Sequence, residues 1–470
     1  MIDAGQAEVE RHSKDLKKEL RAGDLVLMQV VLVFSFLNLG PAAKQGSTHV
    51  VFWLVSIAVF YAPLAAVTIF LSRSMPLEGG VYQWAKFGLS PIAGFLAAWN
   101  YGTFMLLQVA PIGLITAAGA AYAIGPSAGW MAENRWVITG FNAGIMALML
   151  VVNIRGFHVE KWFSNAASLT ILAVGLALVG LLIVHPGRVA PAHRSFSLAM
   201  PALSLMSLNL FSKVGFNSLS GLEYVAFFSG ESQNAARSIG RSVWLAAPVI
   251  AMLYIFTTGS VLMYVQPADV DLTATVPQVL SAASGSSPAF GWVIIAVIVI
   301  LTGSAIVQLM VLLAAVSRLP MVAGWDGLLP AWFTELHPRY RTPARSIIFV
   351  VAACFALAIL SLLGVGRQEA FQIVYAASFT SLGIYYMILF AIPIVGMRGF
   401  ERRAGLWLRM GAALGLVVSL VAFIFQLVPI VDVDRPVVFG LKVGLGIGVI
   451  NLAGVLLYLR AKGTSAAAVS

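Results

Sequence analysis

Long apolar runs, separated by short polar segments, extend through most of the chain. Each run is about 20 residues long, which is the length that a helix needs to cross a lipid bilayer. The pattern predicts about twelve membrane-spanning helices, called spans one to twelve, at approximately 25–43, 50–71, 91–122, 136–154, 163–184, 200–229, 243–265, 291–316, 346–364, 369–396, 406–428 and 437–459. Spans three, six and ten are longer than a perpendicular crossing requires, so we expect tilt, a kink or an interfacial extension in each.

The composition indicates an integral membrane protein whose surroundings are a lipid bilayer. Of 470 residues, 60% are hydrophobic and 10% are charged, and the mean hydropathy is +0.92. A soluble domain of this length does not have such a composition. The single cysteine, Cys354, excludes a disulfide framework within the chain, and the histidines form no HExxH motif. The sequence therefore predicts no metal, no cofactor and no enzymatic activity.

The net charge of +10 arises from basic residues that lie mainly on one side of the predicted spans. With the N-terminus inside, 21 of the 29 Lys and Arg residues fall in cytoplasmic segments and six fall in external ones. Basic residues are enriched on the cytoplasmic side of membrane proteins. The distribution predicts a multi-pass protein of the inner or plasma membrane, with cytoplasmic termini at 1–24 and 460–470, and it argues against nucleic-acid binding.

Span six has polar residues in its middle, where hydrocarbon rejects them unless they face a cavity or another helix. These residues are Lys213, Asn217, Ser218, Ser220, Gly221 and Glu223. Such a span is predicted to be a broken helix, with the break at 217–221. Unwound backbone at the middle of a membrane offers N–H and C=O groups for binding, as in many secondary transporters.

Three further segments carry recognisable motifs in a fixed order. They are MPLEGGVYQWAKFG at 75–88, SGLEYVAFFSGESQNAARSIGRS at 220–242 and SRLPMVAGWDGLLPAWFTELHPRYRTP at 317–343. In order and spacing, these segments resemble the motifs of the amino acid/polyamine/organocation permease superfamily. The EGGVYQW sequence and the apolar span one are also similar to the glutamate/GABA antiporter branch of that superfamily.

The resemblance implies an all-α fold of two inverted five-helix repeats within a transporter domain at 25–459. Repeat one is expected at about 25–184 and repeat two at about 200–396, with two extra helices at about 406–459. Spans one and six would be broken at a central site that binds an amino acid or related amine. Alternating access of this site would carry the substrate across the membrane. A proton, sodium or a counter-substrate would be coupled to that movement.

The resemblance also indicates where span one should break. Counted from Asp24, the Gly-rich break of the family falls on Ser35, Phe36 and Leu37, none of which is glycine. An alternative is unwinding that begins at Asn38, within the sequence Asn38-Leu39-Gly40-Pro41. We therefore expect substrate contacts from both breaks, at Ser35, Phe36, Leu37, Asn38, Asn217, Ser218, Ser220 and Gly221. Asn217 occupies the position of an aromatic gate in members that exchange cationic amino acids, which argues against a cationic substrate.

Four other polar residues within spans have open roles. Glu223 could carry a proton, accept structural hydrogen bonds or contact substrate. Lys213 could extend toward the external face, supply a fixed cation that span five lacks, or contact an acidic substrate. Thr302 and Ser304 could bind sodium opposite the break of span one, or could simply allow close helix packing.

Together these features predict a secondary active transporter of amino acids or related amines. One alternative is a sodium-coupled symporter of the same fold. Another is a transport-inactive membrane sensor or binding protein, against which the absence of a long soluble segment argues. A membrane enzyme is disfavoured because the sequence has no converging acid/base or metal constellation.

Overall fold

The computed structural model describes residues 2–184, 197–200, 204–271, 275–284, 288–361, 367–397, 400, 403–429 and 436–467. Within these ranges the chain is helical, and its only strand-like pairing is an isolated bridge between Leu20 and Ser232. Helices are the expected solution in a bilayer, because each one satisfies its own backbone hydrogen bonds.

In the described part of the chain, ten helical stretches are long and apolar enough to cross a membrane. The shorter apolar helix Ala344–Ser361 and the interrupted helix of span six supply the two remaining predicted spans. In chain order the spans are Ala22–Val33 with Leu39–Ala43, His49–Ser74, Pro91–Val109 with Ile112–Ile124, Arg135–Arg155, Phe157–Val184, Leu205–Phe216 with Leu222–Glu231, Ala235–Tyr264, Pro288–Trp325, Ala344–Ser361, Arg367–Val395, Leu406–Gln426 and Pro436–Ala467.

The predicted third span is two helices rather than one continuous helix. Its first part ends at Val109 and its second begins at Ile112, with Pro111 between them. Proline has no backbone N–H, and its ring clashes with the preceding turn of a helix. The expected kink in this long span therefore lies at Pro111.

Spans one and twelve mark the inside and the outside of the bundle. In the most apolar stretch of each span, 67% of the residues of span one are buried, whereas only 17% of those of span twelve are buried. The first helix of span one packs against spans five, seven and eight, and against the second half of span six. Span twelve instead leaves Leu441, Leu445 and Val449 exposed, as expected of a helix that faces lipid.

The N-terminal segment closes one end of the bundle, which we call the N-terminal face. Its helix Ile2–Ser13 places Val9 in a buried position, and the His12 ring stacks on Trp325 at 5.3 Å between centroids. Further along, the N–H of Leu20 donates to the carbonyl of Glu231 at 3.1 Å. The segment thus lies directly against the end of span six.

Candidate functional site

The break of span one lies at Phe34 and Ser35. The first helix ends at Val33, and both following residues have extended backbone, with φ of −83° and −136°. Extended backbone of this kind is open to any residue, so the break needs no glycine. The break thus includes Ser35, the first of the positions that the resemblance indicates. The alternative that began at Asn38 is wrong, because Phe36–Asn38 forms a 3₁₀ turn and Leu39–Ala43 is helical.

Tyr254 of span seven satisfies the backbone groups that this break exposes. Its hydroxyl donates to the carbonyl of Val33 at 2.8 Å and accepts from the N–H of Ser35 at 3.1 Å. The side-chain amide of Asn38 is 3.4 Å from the same hydroxyl. Trp53 stacks on the tyrosine ring at 4.6 Å and so fixes its position.

The remaining two predicted contacts in span one have different surroundings. Phe36 is buried, with its ring 4.9 Å from that of Phe34. Leu37 is 53% exposed, so its side chain is not enclosed with the others. Any contribution of Leu37 to a buried site would have to come from its backbone.

The break of span six is centred on Gly221. Its φ of +113° lies in the left-handed region that favours glycine. The N–H of Gly221 donates to the hydroxyl of Tyr386 at 2.7 Å, and Gln29 of span one donates to the carbonyl of Leu222 at 2.8 Å. The span then continues as a tight 3₁₀ helix, Leu222–Glu231. Spans one and ten therefore hold the unwound backbone.

The break is shorter than the predicted 217–221. Asn217 and Ser218 still have helical backbone, so only the residues that follow them are unwound. Just beyond them, the Ser220 hydroxyl donates to the carbonyl of Phe216 at 2.7 Å and so satisfies a carbonyl that the helix end leaves free.

The side chains of these residues face different neighbours. Asn217 accepts a 3.1 Å hydrogen bond from Gln426 of span eleven, and its amide is 3.4 Å from the Tyr375 hydroxyl. The Ser218 hydroxyl is buried and lies beside that of Tyr254. Tyr254 thus connects the break of span one with the last helical turn before the break of span six.

Glu223 is fully buried just beyond the break. Neither carboxylate oxygen meets a donor at full hydrogen-bond geometry in the described part of the chain, although the hydroxyls of Tyr385 and Tyr386 lie close by. Tyr224 and Tyr101 complete an aromatic enclosure, with the Tyr101 ring 5.3 Å from that of Tyr385. These surroundings are compatible with Glu223 acting either as a proton carrier or as a structural hydrogen-bond acceptor.

Lys213 is buried at the end of span eleven. Only 6% of it is exposed, and its ammonium donates to the carbonyl of Val428, just after span eleven. The carbonyl end of a helix carries partial negative charge, which a lysine neutralises. The observed partner of Lys213 is thus a backbone carbonyl.

Thr302 lies against span three. A Cβ added to Gly119 would be 2.3 Å from the Thr302 hydroxyl, which itself donates to the carbonyl of Ile298 at 2.9 Å. Close packing through small residues accounts for this arrangement, and Ser304 is buried nearby in the same helix. The residue of span eight that reaches the break of span one is Gln308, whose amide donates to the carbonyl of Leu32 at 2.9 Å.

A buried ion pair joins spans six and eight at the N-terminal face. Arg318 contacts both carboxylate oxygens of Glu231, each at 3.0 Å. The guanidinium also lies 4.9 Å from the Phe157 ring centroid and 5.3 Å from that of Phe228. This ion pair thus connects the end of span six to span eight.

Comparison with known proteins agrees with this architecture. The family model described as amino acid permease matches residues 24–445. The chain belongs to the amino acid permease family. It is therefore a membrane transporter, as its motifs predict, and its predicted place in the superfamily is confirmed. The particular branch remains a prediction.

Relatives of this permease carry the names of transporters of several small molecules. It is 26% identical over 342 residues to a low-affinity putrescine importer of Escherichia coli, covering 70% of each chain. It is 27% identical over 391 residues to a methylthioribose transporter of Bacillus subtilis, covering 78% of this chain and 81% of that one. A probable agmatine/putrescine antiporter of Lactococcus lactis is 22% identical over 390 residues, covering 80% and 78%.

A solved structure confirms the predicted fold of this permease. The transporter MhsT in complex with L-phenylalanine superposes with a TM-score of 0.63 at 16% identity, covering 87% of this chain and 98% of that one. The permease therefore has two inverted five-helix repeats, with spans one and six broken, followed by two extra helices.

Several residues of the site were not anticipated from the sequence. They are Gln29, Tyr254, Gln308, Tyr385 and Tyr386. The available signal was a polar group inside an apolar span, since such groups rarely occur there without a role. Gln29 and Gln308 met that criterion directly, whereas the tyrosines could equally have been packing residues.

Proposed function

We propose that this permease carries an amino acid or a closely related amine through the space between the breaks of spans one and six. The observation that carries the proposal is the position of Tyr254. Its hydroxyl contacts the backbone on both sides of the span-one break and lies beside Ser218 of span six. A side chain that lies at the span-one break and beside the turn that precedes the span-six break supports one small-ligand site between the two spans.

The chemistry of such a ligand follows from helix polarity. The 3₁₀ helix that begins at Leu222 directs the partial positive charge of its N-terminus toward the break, which suits a carboxylate. The carbonyl end of the first helix of span one, which ends at Val33, suits an ammonium group. Residues of both spans would contact the bound molecule through backbone or side-chain groups. These candidate residues are Ser35, Phe36, Leu37, Asn38, Asn217, Ser218, Ser220 and Gly221.

The proposal also covers the membrane location, the orientation and the driving force of the permease. Residues 1–24 and 460–470 would be cytoplasmic and residues 25–459 would form the transporter domain in the cell membrane, as the excess of basic residues on one side supports. The N-terminal face would then be the cytoplasmic one. A proton, sodium or a counter-substrate would drive the movement, and no chemical reaction would be catalysed.

A binding screen followed by uptake tests this function. Purified permease would be heated with each of the common amino acids, putrescine, agmatine and methylthioribose. A ligand that binds the folded state raises the unfolding midpoint. We expect at least one amino acid or amine to do so and to be taken up by proteoliposomes. Uptake should weaken in Tyr254→Phe, and an absence of binding and uptake for the whole panel would refute the proposal.

A further inference from the structure

Four charged side chains are buried together behind the N-terminal face. They come from four different elements and consist of Glu78, Glu160, Glu231 and Arg318. We call them the Arg318 cluster. All three carboxylates lie within electrostatic range of the guanidinium. None of them belongs to the breaks of spans one and six.

Three guanidinium nitrogens of Arg318 already have hydrogen-bond acceptors. Two guanidinium nitrogens contact the Glu231 carboxylate at 3.0 Å, and a third donates to the carbonyl of Ala314 at 2.7 Å. One positive charge is therefore already neutralised by one negative charge. Glu78 and Glu160 add two more carboxylates within electrostatic range of the same guanidinium.

These two carboxylates have few or no hydrogen-bond donors. One oxygen of Glu78 accepts from the N–H of Gly230 at 2.6 Å, and its other oxygen has no donor in the described part of the chain. Neither oxygen of Glu160 has a donor there, although the residue is 0% exposed. A buried, unpaired carboxylate is costly when ionised, so such a group takes up a proton instead.

Burial and the charge of Glu231 act together on the pKa of Glu78, which lies between spans two and three. Both raise the pKa of Glu78, while Arg318 and the N–H of Gly230 lower it by less. The charged groups that face Glu160 are Arg318 of span eight and Glu231 of span six. Asp24 of span one contacts the same helix further along, where it accepts from Asn165 at 3.0 Å.

We propose that Glu160 and Glu78 form a proton-binding site that is occupied while the N-terminal face is closed and emptied when it opens. The ligand is a proton and not a metal cation, because the described carboxylates are not grouped closely enough to coordinate a metal ion. Spans five, six and eight and the segment that carries Glu78 all contribute to the cluster. They must separate for this face to open.

Separation would admit water and let both carboxylates ionise. The neutral acids are therefore favoured by the closed arrangement, and the proton leaves toward the side that has opened. The direction of the pH effect follows. The closed face is stabilised at low pH, and this stabilisation is lost as the pH rises through the range in which the closed cluster gives up its protons. Only the link to substrate movement rests on the proposed transport function.

Labelling of a reporter cysteine measures this opening without any substrate. The one native cysteine, Cys354, is buried and would be replaced by alanine. Ser229→Cys would then place a thiol beside Gly230, at a position that is 4% exposed in the closed face. Full-length protein would be labelled with a maleimide from about pH 5 to about pH 9. Each rate would be divided by the rate of the unfolded protein, which removes the effect of thiol ionisation.

We expect the corrected labelling rate to rise with pH by roughly an order of magnitude. Glu160→Gln and Glu78→Gln keep the shape of the protonated acid, so each should flatten the rise while the protein remains folded. Glu335→Gln serves as the matched control, because Glu335 is exposed and pairs with Arg345 outside the cluster. Its profile should match that of the parent.

Two results would overturn the proposal. One is a pH profile in both Gln variants that is identical to the parent profile. The other is a profile that changes when choline replaces sodium at constant pH, since the ligand would then be a metal cation. Failure of the uptake screen would leave this assay unaffected, because it contains no substrate. The two proposals can therefore fail independently.

Discussion

The backbone N–H of Gly221 donates a 2.7 Å hydrogen bond to the hydroxyl of Tyr386. The same hydroxyl lies close to the carboxylate of Glu223. One side chain of span ten thus accepts a hydrogen bond from the unwound backbone of span six and lies beside the carboxylate that follows it. If span ten moves relative to span six, this hydrogen bond must break; if the two spans move together, it is kept.

Tyr386→Phe should destabilise the permease while leaving its packing intact. It removes the partner of a buried N–H, which costs about 1–3 kcal/mol. We expect a lower thermal unfolding midpoint and weaker uptake. Tyr340→Phe, in the segment between spans eight and nine, is the control and should leave both unchanged. Equal midpoints for the two variants would contradict the structural role of the hydroxyl.

Gly221→Ala should disrupt the break itself. The added Cβ would be strained at a φ of +113° and would lie 3.0 Å from the Tyr224 ring. Strain of this kind costs on the order of 1–3 kcal/mol. Gly303→Ala is the matched control, since its Cβ would meet nothing within 4 Å in a regular helix. The prediction is a lower midpoint for the first variant and an equal or higher one for the second. It would be wrong if both midpoints fell together.

Arg318→Met should be among the most destabilising single changes at the N-terminal face. Removing one partner leaves the Glu231 carboxylate buried without its cation, at a cost of about 3–5 kcal/mol. Arg345→Met removes the exposed partner of Glu335, which contributes at most about 1 kcal/mol. Chemical unfolding of both variants in the same detergent compares them. Similar losses would show that the burial of the Arg318 pair has little energetic consequence.

Thr302 and Gln308 should differ in their effect on transport. Thr302→Val keeps the shape of the side chain and removes a hydroxyl that bonds only to its own helix, so we expect unchanged uptake with sodium or with choline. Gln308→Leu removes the bond to the carbonyl of Leu32 at the span-one break and should reduce uptake. Loss of sodium-dependent uptake in Thr302→Val would instead support a cation site in span eight.

Lys213→Met should reduce stability without altering substrate preference. Its ammonium donates to the carbonyl of Val428, and a hydrogen bond of this charged type contributes about 1.5–3 kcal/mol. Binding of acidic and neutral amino acids should therefore change by the same factor in the folded variant. A selective loss of acidic substrates would show that Lys213 meets a substrate carboxylate.

The sequence by itself determined the spans, the interrupted span six and the family. A bilayer requires each spanning segment to satisfy its own backbone, so length, hydropathy and a polar middle can be read locally. The glycine at 221 was also readable, because its left-handed backbone excludes most other residues.

Only the tertiary structure decided the contacts between distant segments. The break of span one is at Phe34 and Ser35 because Tyr254, more than 200 positions away, supplies the hydroxyl that its freed backbone needs. Likewise Arg318 selects Glu231 from 87 positions away, and Lys213 meets a carbonyl 215 positions away. Such partners depend on how the helices are rotated and packed, and a polar residue in a single sequence does not carry that information.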